Sequence, residues 1–254
     1  MKILITGANG YIGKSLYNAL KDKHEVDIIT RNKCDLTNSD KVNFYFLDTW
    51  FDIVIHCAAL GVTNPKSMDW DVMDNNLKIY YNLLQNKSHF GKLINLGSGA
   101  EIYLSNTPYG LGKYIINKSI SHKEKFYNLR IFGVFDENEL DTRFIKANIK
   151  RYINKEPIII HQNKYMDFIY MPDLIKLIEY YINNDGPKEL DCNYNTRYSL
   201  ENIADIINDL GDYKIEIKTI KNDWDEAYNG IFYNLSLNFT GLEQGIKEVY
   251  NKLK

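Results

Sequence analysis

The chain has 254 residues, 44% hydrophobic and 25% charged, with a formal net charge of −2; this is a globular balance with room for one large α/β domain, or one domain and an appendage. A nearly neutral charge gives no support to a role in holding long nucleic acid. Cys34, Cys57 and Cys192 form no CxxC pair, no run of about 18 apolar residues could span a membrane, and no signal-peptide layout is present; a cytoplasmic protein with no disulfide framework, no metal and no membrane partner is expected.

Lys2–Thr6 is an unbroken apolar strand and Tyr11–Lys21 has helical periodicity. Glu25–Thr30 is a second strand, Asp40–Trp50 a helix, and Asp52–Cys57 a third strand. Asp71–Lys87 is a helix, Lys92–Leu96 a fourth strand, Pro108–His122 a helix and Tyr127–Phe132 a fifth strand. Apolar strands alternating with amphipathic helices build βαβ units, and right-handed crossovers arrange them as a Rossmann-type, doubly wound parallel sheet. After Phe135 the pattern loosens: helices are expected over Glu139–Asn154, Pro172–Asn183, Ser199–Asp209 (with Ser199 as N-cap) and Gly241–Leu253, and strands over Pro157–His161 and Tyr213–Thr219. No Gly/Ser linker intervenes. A dinucleotide-binding domain over 1–135 and a small, integrated α/β substrate lobe over 136–254 are therefore expected.

Between the first strand and first helix lies Thr6-Gly7-Ala8-Asn9-Gly10-Tyr11-Ile12-Gly13, a Gly-x-x-Gly-x-x-Gly run. Glycine allows the tight turn and a close backbone approach to a pyrophosphate seated on the helix N-terminus. A carboxylate ending the second strand would accept the ribose 2′-hydroxyl of NAD. That position is Thr30, with Arg31 next and Lys33 beyond. A guanidinium suits a 2′-phosphate, so NADP(H) is favoured and NAD(H) remains possible.

Tyr109-Gly110-Leu111-Gly112-Lys113 is Tyr-x-x-x-Lys. Residues four apart share a helix face, so the ammonium lies beside the phenol and lowers its pKa. Such a tyrosine can exchange a proton with a carbonyl or alcohol oxygen while hydride moves on a nicotinamide. The spacing is weak alone in a chain with 20 tyrosines; its weight comes from following the fourth strand. At that strand's end, in Asn95-Leu96-Gly97-Ser98-Gly99-Ala100, Ser98 is placed to hydrogen-bond the reacting oxygen. His56 reads as a packed core residue, and His24, His89, His122 and His161 as surface positions.

These segments, with HCAA (His56–Ala59), NNLKIYYNLL (Asn75–Leu84), LRIFGVF (Leu129–Phe135), MDFIYMPDL (Met166–Leu174) and SLENIADII (Ser199–Ile207), make the chain resemble, over nearly its whole length, the extended short-chain dehydrogenase/reductase family acting on nucleotide-activated sugars. The resemblance implies Ser98, Tyr109 and Lys113 as the catalytic set, with Gly99 on the substrate side. It implies Gly7, Gly10, Gly13, Asp35, Ala58, Asn76 and Lys113 on the cofactor side, flanked there by Asn9, Tyr11, Ile12, Leu36 and Ala59. By the same analogy the helices Asp71–Lys87 and Pro108–His122 pair two copies as a homodimer.

Departures from the family pattern narrow the expected chemistry. The Asp-Glu pair of 4,6-dehydratases is absent from Ser98-Gly99-Ala100, and Glu101 is close but out of phase. The cysteine of the GDP-fucose synthase type is replaced by Ala100. Plain hydride transfer remains, so an NADPH-dependent reductase of a nucleotide-linked 4-keto-6-deoxy sugar, feeding surface polysaccharide, fits best. An NAD-dependent 4-epimerase and a non-catalytic cofactor sensor are the alternatives. Only ten residues separate Ser98 from Tyr109, and Met166 stands where relatives carry the diphosphate arginine; Lys164, Arg143 or Arg197 could substitute.

Overall fold

The computed structural model describes residues 1–61 and 69–254. The chain divides into two compact units, Met1–Arg130 with Ile178–Leu190, and Ile131–Leu177 with Asp191–Lys254. Residues 178–190, which lie beyond the expected boundary in sequence, thus belong to the first unit.

The first unit is built on β1 (Lys2–Thr6), β2 (Glu25–Ile29), β3 (Phe51–His56), β4 (Phe90–Ser98), β5 (Phe126–Ile131) and, from later in the chain, β9 (Glu189–Cys192). They form one sheet in the order β2-β1-β3-β4-β5-β9. Leu4 of β1 is aligned with Asp27 of β2 and with Val54 of β3, both in parallel, and β3 pairs in parallel with β4. Leu4, Val54, Ile55, Leu93 and Ile94 are all fully or almost fully buried. That explains their unbroken apolar runs, because helices cover both faces of a parallel sheet. Those helices are α1 (Tyr11–Leu20), α2 (Ser39–Phe46), α3 (Trp70–Gln85) and α5 (Pro108–Ser121), with a four-residue α4 (Ala100–Tyr103) between β4 and α5.

Phe46, Phe51 and Phe90 form an aromatic wedge beneath the sheet: the Phe46 and Phe51 centroids lie 5.8 Å apart in a T-shape, and those of Phe46 and Phe90 6.2 Å apart. The wedge accounts for one correction. The helix expected to reach Trp50 stops at Phe46, where Leu47 and Thr49 turn back to the carbonyls of Phe44 and Phe46. This brings Phe51 into the core and leaves Trp50 exposed.

The second unit contains β6 (Val134–Phe135) paired with β8 (Ile169–Tyr170), and β7 (Ile158–Asn163) paired with β10 (Ile217–Trp224). Around them lie α6 (Phe144–Ile153), α8 (Leu200–Asn208) and α9 (Leu242–Leu253); α7 (Met171–Asn183) supplies residues to both units. The core includes Phe135, Ile149, Tyr152, Ile160, Ile203, Ile207 and Ile246, each fully buried. Ser199 caps α8 as expected, through a capping box in which its hydroxyl accepts from Asn202 N–H and the Asn202 side chain accepts from Ser199 N–H.

Two expected elements shift in this unit. The helix expected from Glu139 starts at Phe144, because Asp136–Arg143 folds into turns closed by Asn138 N–H to Asp136 Oδ1 and Arg143 N–H to Leu140 O. The strand expected over Tyr213–Thr219 runs instead from Ile217 to Trp224, set by parallel pairing of Ile217 with Ile158 and Thr219 with Ile160. Beyond it, buried carboxylates hold an irregular stretch in place of regular pairing. Asp167 accepts from Gly230 N–H, Asp191 from Ile231 N–H, and Asp173 from Thr240 and Gly241 N–H.

Candidate active site

The strand order reverses between β1 and β3, and in open α/β sheets the ligand crevice lies at the carboxyl ends of such a pair. There Gly7 has φ +68°, and a Cβ on it would stand 2.7 Å from the backbone N and Cα of Ala58. A Cβ on Gly13 would stand 2.4 Å from Gly7 O. These two glycines are dictated by the close packing of the turn against the end of β3 and of α1 against the turn. Gly10 is the exposed N-cap of α1; no side chain caps the helix, and its first turn carries no acidic residue. The first-turn amides therefore point their positive end outward, the arrangement that receives a pyrophosphate. Asn9 is exposed beside them, and Tyr11 and Ile12 are half-buried. Gly13→Ala is expected to cost about 1–3 kcal/mol of stability in urea melts, the range for overpacking, and to weaken binding of a dinucleotide in fluorescence titrations.

The chain after β2 turns back on itself through Lys33 and Cys34 N–H to Thr30 O, leaving Arg31 exposed. Asp35 accepts from the backbone N–H and the hydroxyl of Thr37, at 3.0 and 2.8 Å, and these bonds hold its carboxyl below the usual carboxylate range. Leu36 is buried in the core, and its carbonyl accepts from Asn82 Nδ2.

Ala58 and Ala59 follow β3 and are half-buried. The Thr6 hydroxyl accepts from Ala58 N–H at 3.3 Å and is hydrogen-bonded to His56 Nδ1 at 2.8 Å, tying the ends of β1 and β3 together. Burial, with the charge of Lys113 added, lowers the His56 pKa to about 3, so the ring is neutral in the core. Asn76 is 3% exposed and brackets one residue, accepting from Leu60 N–H at 2.8 Å and donating to Leu60 O at 3.1 Å. It fixes the path of the chain just past Ala59.

β4 ends at Ser98, whose Oγ accepts from Ala100 N–H at 3.2 Å, an arrangement that keeps the hydroxyl proton for donation. Gly99 and Ala100 are buried and bring no acid or base. α5 starts at Pro108 with Thr107 as N-cap, accepting from Gly110 N–H, so Tyr109 occupies the first turn and Lys113 follows one turn later. A Cβ on Gly110 would meet Leu104 O at 2.0 Å and Ala100 O at 2.7 Å, so α5 rests directly on α4. Lys113 is 5% exposed and donates to Leu96 O at 2.7 Å, reaching from α5 to the end of β4. Burial lowers its pKa, opposed mainly by the charge of Glu101. The elements carrying Ser98, Tyr109 and Lys113 are thus locked together, and the short Ser98–Tyr109 stretch is filled by α4 and a Thr107–Leu104 turn.

The sequence reading set Glu101 aside as out of phase with the positions where an acid was sought. It is 3% exposed; Oε1 accepts from Ser98 N–H at 2.8 Å and Oε2 from Asn128 Nδ2 at 2.9 Å. Burial pushes its pKa up to about 7 despite those bonds and the charges of Lys113 and Arg130. Ser98-x-x-Glu101 is the Ser-x-x-Glu spacing of a capping box, the signal that could have exposed it.

The second unit holds the residues expected at a diphosphate. Lys164 is ion-paired with Asp225 at 3.0 Å; Arg143 is the exposed residue before α6; Arg197 is exposed; and Met166 joins the backbone through its N–H to Tyr198 O. Among the described residues no group of three or more His, Cys, Asp or Glu side chains could hold a metal, and no helix is long and apolar enough to cross a membrane.

A glycine turn at the sheet's switch point and a Tyr-x-x-x-Lys helix beside a serine-bearing strand end define a nicotinamide-dependent α/β oxidoreductase. The chain belongs to the NAD dependent epimerase/dehydratase family, whose model matches residues 3–195. It is 25% identical to CDP-abequose synthase from Yersinia pseudotuberculosis over 92% of this chain and 95% of that one. In fold it is similar to GDP-mannoheptose C4 reductase from Campylobacter jejuni, solved with NADP bound (TM-score 0.81, 16% identity, 99% and 98% of the two chains). It is likewise similar to UDP-glucose 4-epimerase from Thermotoga maritima (TM-score 0.79, 16% identity, 100% and 98%).

Proposed function

We propose that the protein is an NADPH-dependent reductase of a nucleotide-linked 4-keto-6-deoxy sugar, acting in the cytoplasm as a homodimer and supplying surface polysaccharide synthesis. The observation that carries this reading is the site's restricted chemistry: Ser98, Tyr109 and Lys113 are present, while the adjoining Gly99 and Ala100 are buried and carry no second acid or base. Similarity to CDP-abequose synthase supports a nucleotide-sugar substrate.

The bound cofactor supplies the hydride that reaches the ketone carbon. The Gly7–Gly13 turn and the first-turn amides of α1 would hold its pyrophosphate, and Arg31 would hold its 2′-phosphate. Tyr109 gives its phenolic proton to the ketone oxygen as that oxygen gains charge, Ser98 donates a hydrogen bond to the same oxygen, and Lys113 favours the resulting phenolate. The product is the 4-hydroxy sugar, and the tyrosine regains a proton from solvent. The exposed Tyr81 of α3 and Tyr114 of α5 lie on the helices assigned to pairing with a second copy.

Titration of purified protein with NADPH and NADH, together with mass spectrometry of any cofactor it releases, tests this reading. Protein that prefers NADPH and reduces a 4-ketosugar nucleotide supports it; tightly held NAD with no net consumption of NADPH moves the assignment to a 4-epimerase. Arg31→Glu is expected to weaken NADPH binding about 10-fold or more while leaving NADH nearly unchanged, because a charged hydrogen-bonding partner is worth roughly 1.5–3 kcal/mol. Equal losses for both cofactors would remove Arg31 from the 2′-phosphate site.

A further inference from the structure

We infer that Glu101 is a positioning residue of this site: its carboxylate holds the Ser98 turn through the Ser98 backbone N–H and serves as the buried counter-charge of Lys113. The inference rests on the reductase reading for its kinetic consequence alone. Three observations carry it, all within the first unit.

Glu101 sits at the end of a directional chain of hydrogen bonds: Asn95 Nδ2 donates to Asn128 Oδ1 at 2.6 Å, and Asn128 Nδ2 donates to Glu101 Oε2 at 2.9 Å. All three side chains are almost completely buried. Space is reserved for the assembly, since a Cβ on Gly97 would stand 2.4 Å from Glu101 Oε1 and 2.7 Å from Asn128 Oδ1. Finally, the other carboxylate oxygen grips the N–H of Ser98, while the Lys113 ammonium donates to the backbone carbonyl of Leu96. A buried ammonium held by a neutral carbonyl needs an opposite charge nearby.

The charged and titratable groups around the pair include Tyr109, one helical turn before Lys113 on α5. Lys113 comes from α5 and Arg130 from β5, the latter already paired with Glu189 of β9 at 3.0 Å. At the end of β3, the Cys57 thiol is pushed up to about 12 by burial, and His56 is neutral. Glu101 is therefore the carboxylate that acts on Lys113, whereas Arg130 has a partner of its own.

Glu101→Gln separates charge from position. With both asparagine amides reversed, the introduced side-chain amide can accept from Ser98 N–H and donate to Asn128 Oδ1. Asn128 Nδ2 then donates to Asn95 Oδ1, an atom that makes no hydrogen bond in the native arrangement. A purely structural, capping role is thus restored by glutamine.

Two readouts test the inference. The first needs no substrate: NMR titration of 13Cε-lysine-labelled protein, with the Lys113 signal assigned through Lys113→Arg. Lys113 is expected to lose its proton about one pH unit lower, or more, in Glu101→Gln than in the native protein, as befits loss of a neighbouring opposite charge; an unchanged titration overturns the inference whatever the enzyme's substrate. The second is single-turnover oxidation of NADPH by CDP- and GDP-linked 4-keto-6-deoxyhexoses between about pH 6 and 9, a window that spans the titration of a raised carboxyl. The native rate is expected to fall about 10-fold as the pH drops through the Glu101 pKa of about 7 and the carboxylate protonates. Glu101→Gln is expected to stay near the low rate throughout, with NADPH affinity unchanged and a melting temperature within a few degrees of native. Native rates and a native pH profile in the variant overturn the inference. If the native protein oxidises NADPH with none of these sugars, the reductase reading fails, and the Lys113 titration still decides the role of Glu101.

Discussion

Tyr109→Phe is expected to reduce kcat for 4-ketosugar reduction by about 10²–10⁴, the range for a positioned general acid, while NADPH binds within about twofold of native. The ring is kept, so the first turn of α5 and its Thr107 cap remain, and the phenolic hydroxyl with its transferable proton is removed. A ketone receiving hydride without that proton must develop an unprotonated alkoxide, which Ser98 alone stabilises weakly. Stopped-flow oxidation of NADPH separates the two quantities, because binding quenches or enhances nicotinamide fluorescence before any turnover. A Tyr109→Phe protein with native kcat would mean that the proton comes from elsewhere. Weakened NADPH binding in the same variant would instead place Tyr109 among the cofactor contacts.

The second large effect is expected at Lys113→Met. The side chain is 5% exposed and meets Leu96 O at 2.7 Å. Methionine matches its length, but it leaves that carbonyl without the Lys113 donor and removes the positive charge that acts most on the Glu101 carboxylate. Leaving a buried acceptor without its donor typically costs about 1–3 kcal/mol, and more where a charged group is involved. The loss is expected to depend on pH in a definite direction. The native Glu101 pKa, at about 7, already lies above the ordinary carboxylate value. A carboxyl raised on folding favours the folded state at low pH and loses that contribution as pH rises through the folded pKa. Without Lys113 the Glu101 pKa rises further. The variant is therefore expected to approach native stability near about pH 5.5, where Glu101 is protonated, and to show its full deficit near about pH 8.5. Urea unfolding at these two pH values measures it; a deficit independent of pH would show that lost packing, not the unpaired carboxylate, dominates.

Much of the first unit was legible because its signals are local. An apolar run followed at once by Gly7, Gly10 and Gly13 and then by helical periodicity has one economical reading. The structure places β1, the turn and α1 within a residue of the expected bounds. Ser199 and Asn202 announced their capping box in the same way. The strand β9 was not legible: Glu-Leu-Asp-Cys is too short and too polar to stand out, and its place at the sheet edge beside β5 depends on a partner about 60 residues earlier. The two-residue strands β6 and β8 were hidden for the same reason.

For the candidate site, the amino-acid sequence by itself determined which chemistry is available: a phosphate-binding turn, a phenol with an ammonium one helical turn away, and a serine at a strand end. These follow from spacing along one strand or one helix, where backbone geometry converts sequence distance into a shared face or edge. Only the tertiary structure decided how that chemistry is held. Asn95 and Asn128 lie on the neighbouring strands β4 and β5, Lys113 reaches back across 17 residues to Leu96, and Asn76 anchors Leu60 from 16 residues away. None of these pairs has a sequence signature, because each arises from strand order and helix packing. Burial, which raises the Glu101 pKa and lowers that of Lys113, belongs to the packed chain and not to any short stretch of it. That is why Glu101, one residue past the positions where an acid was sought, emerged as part of the site only once the strands were side by side.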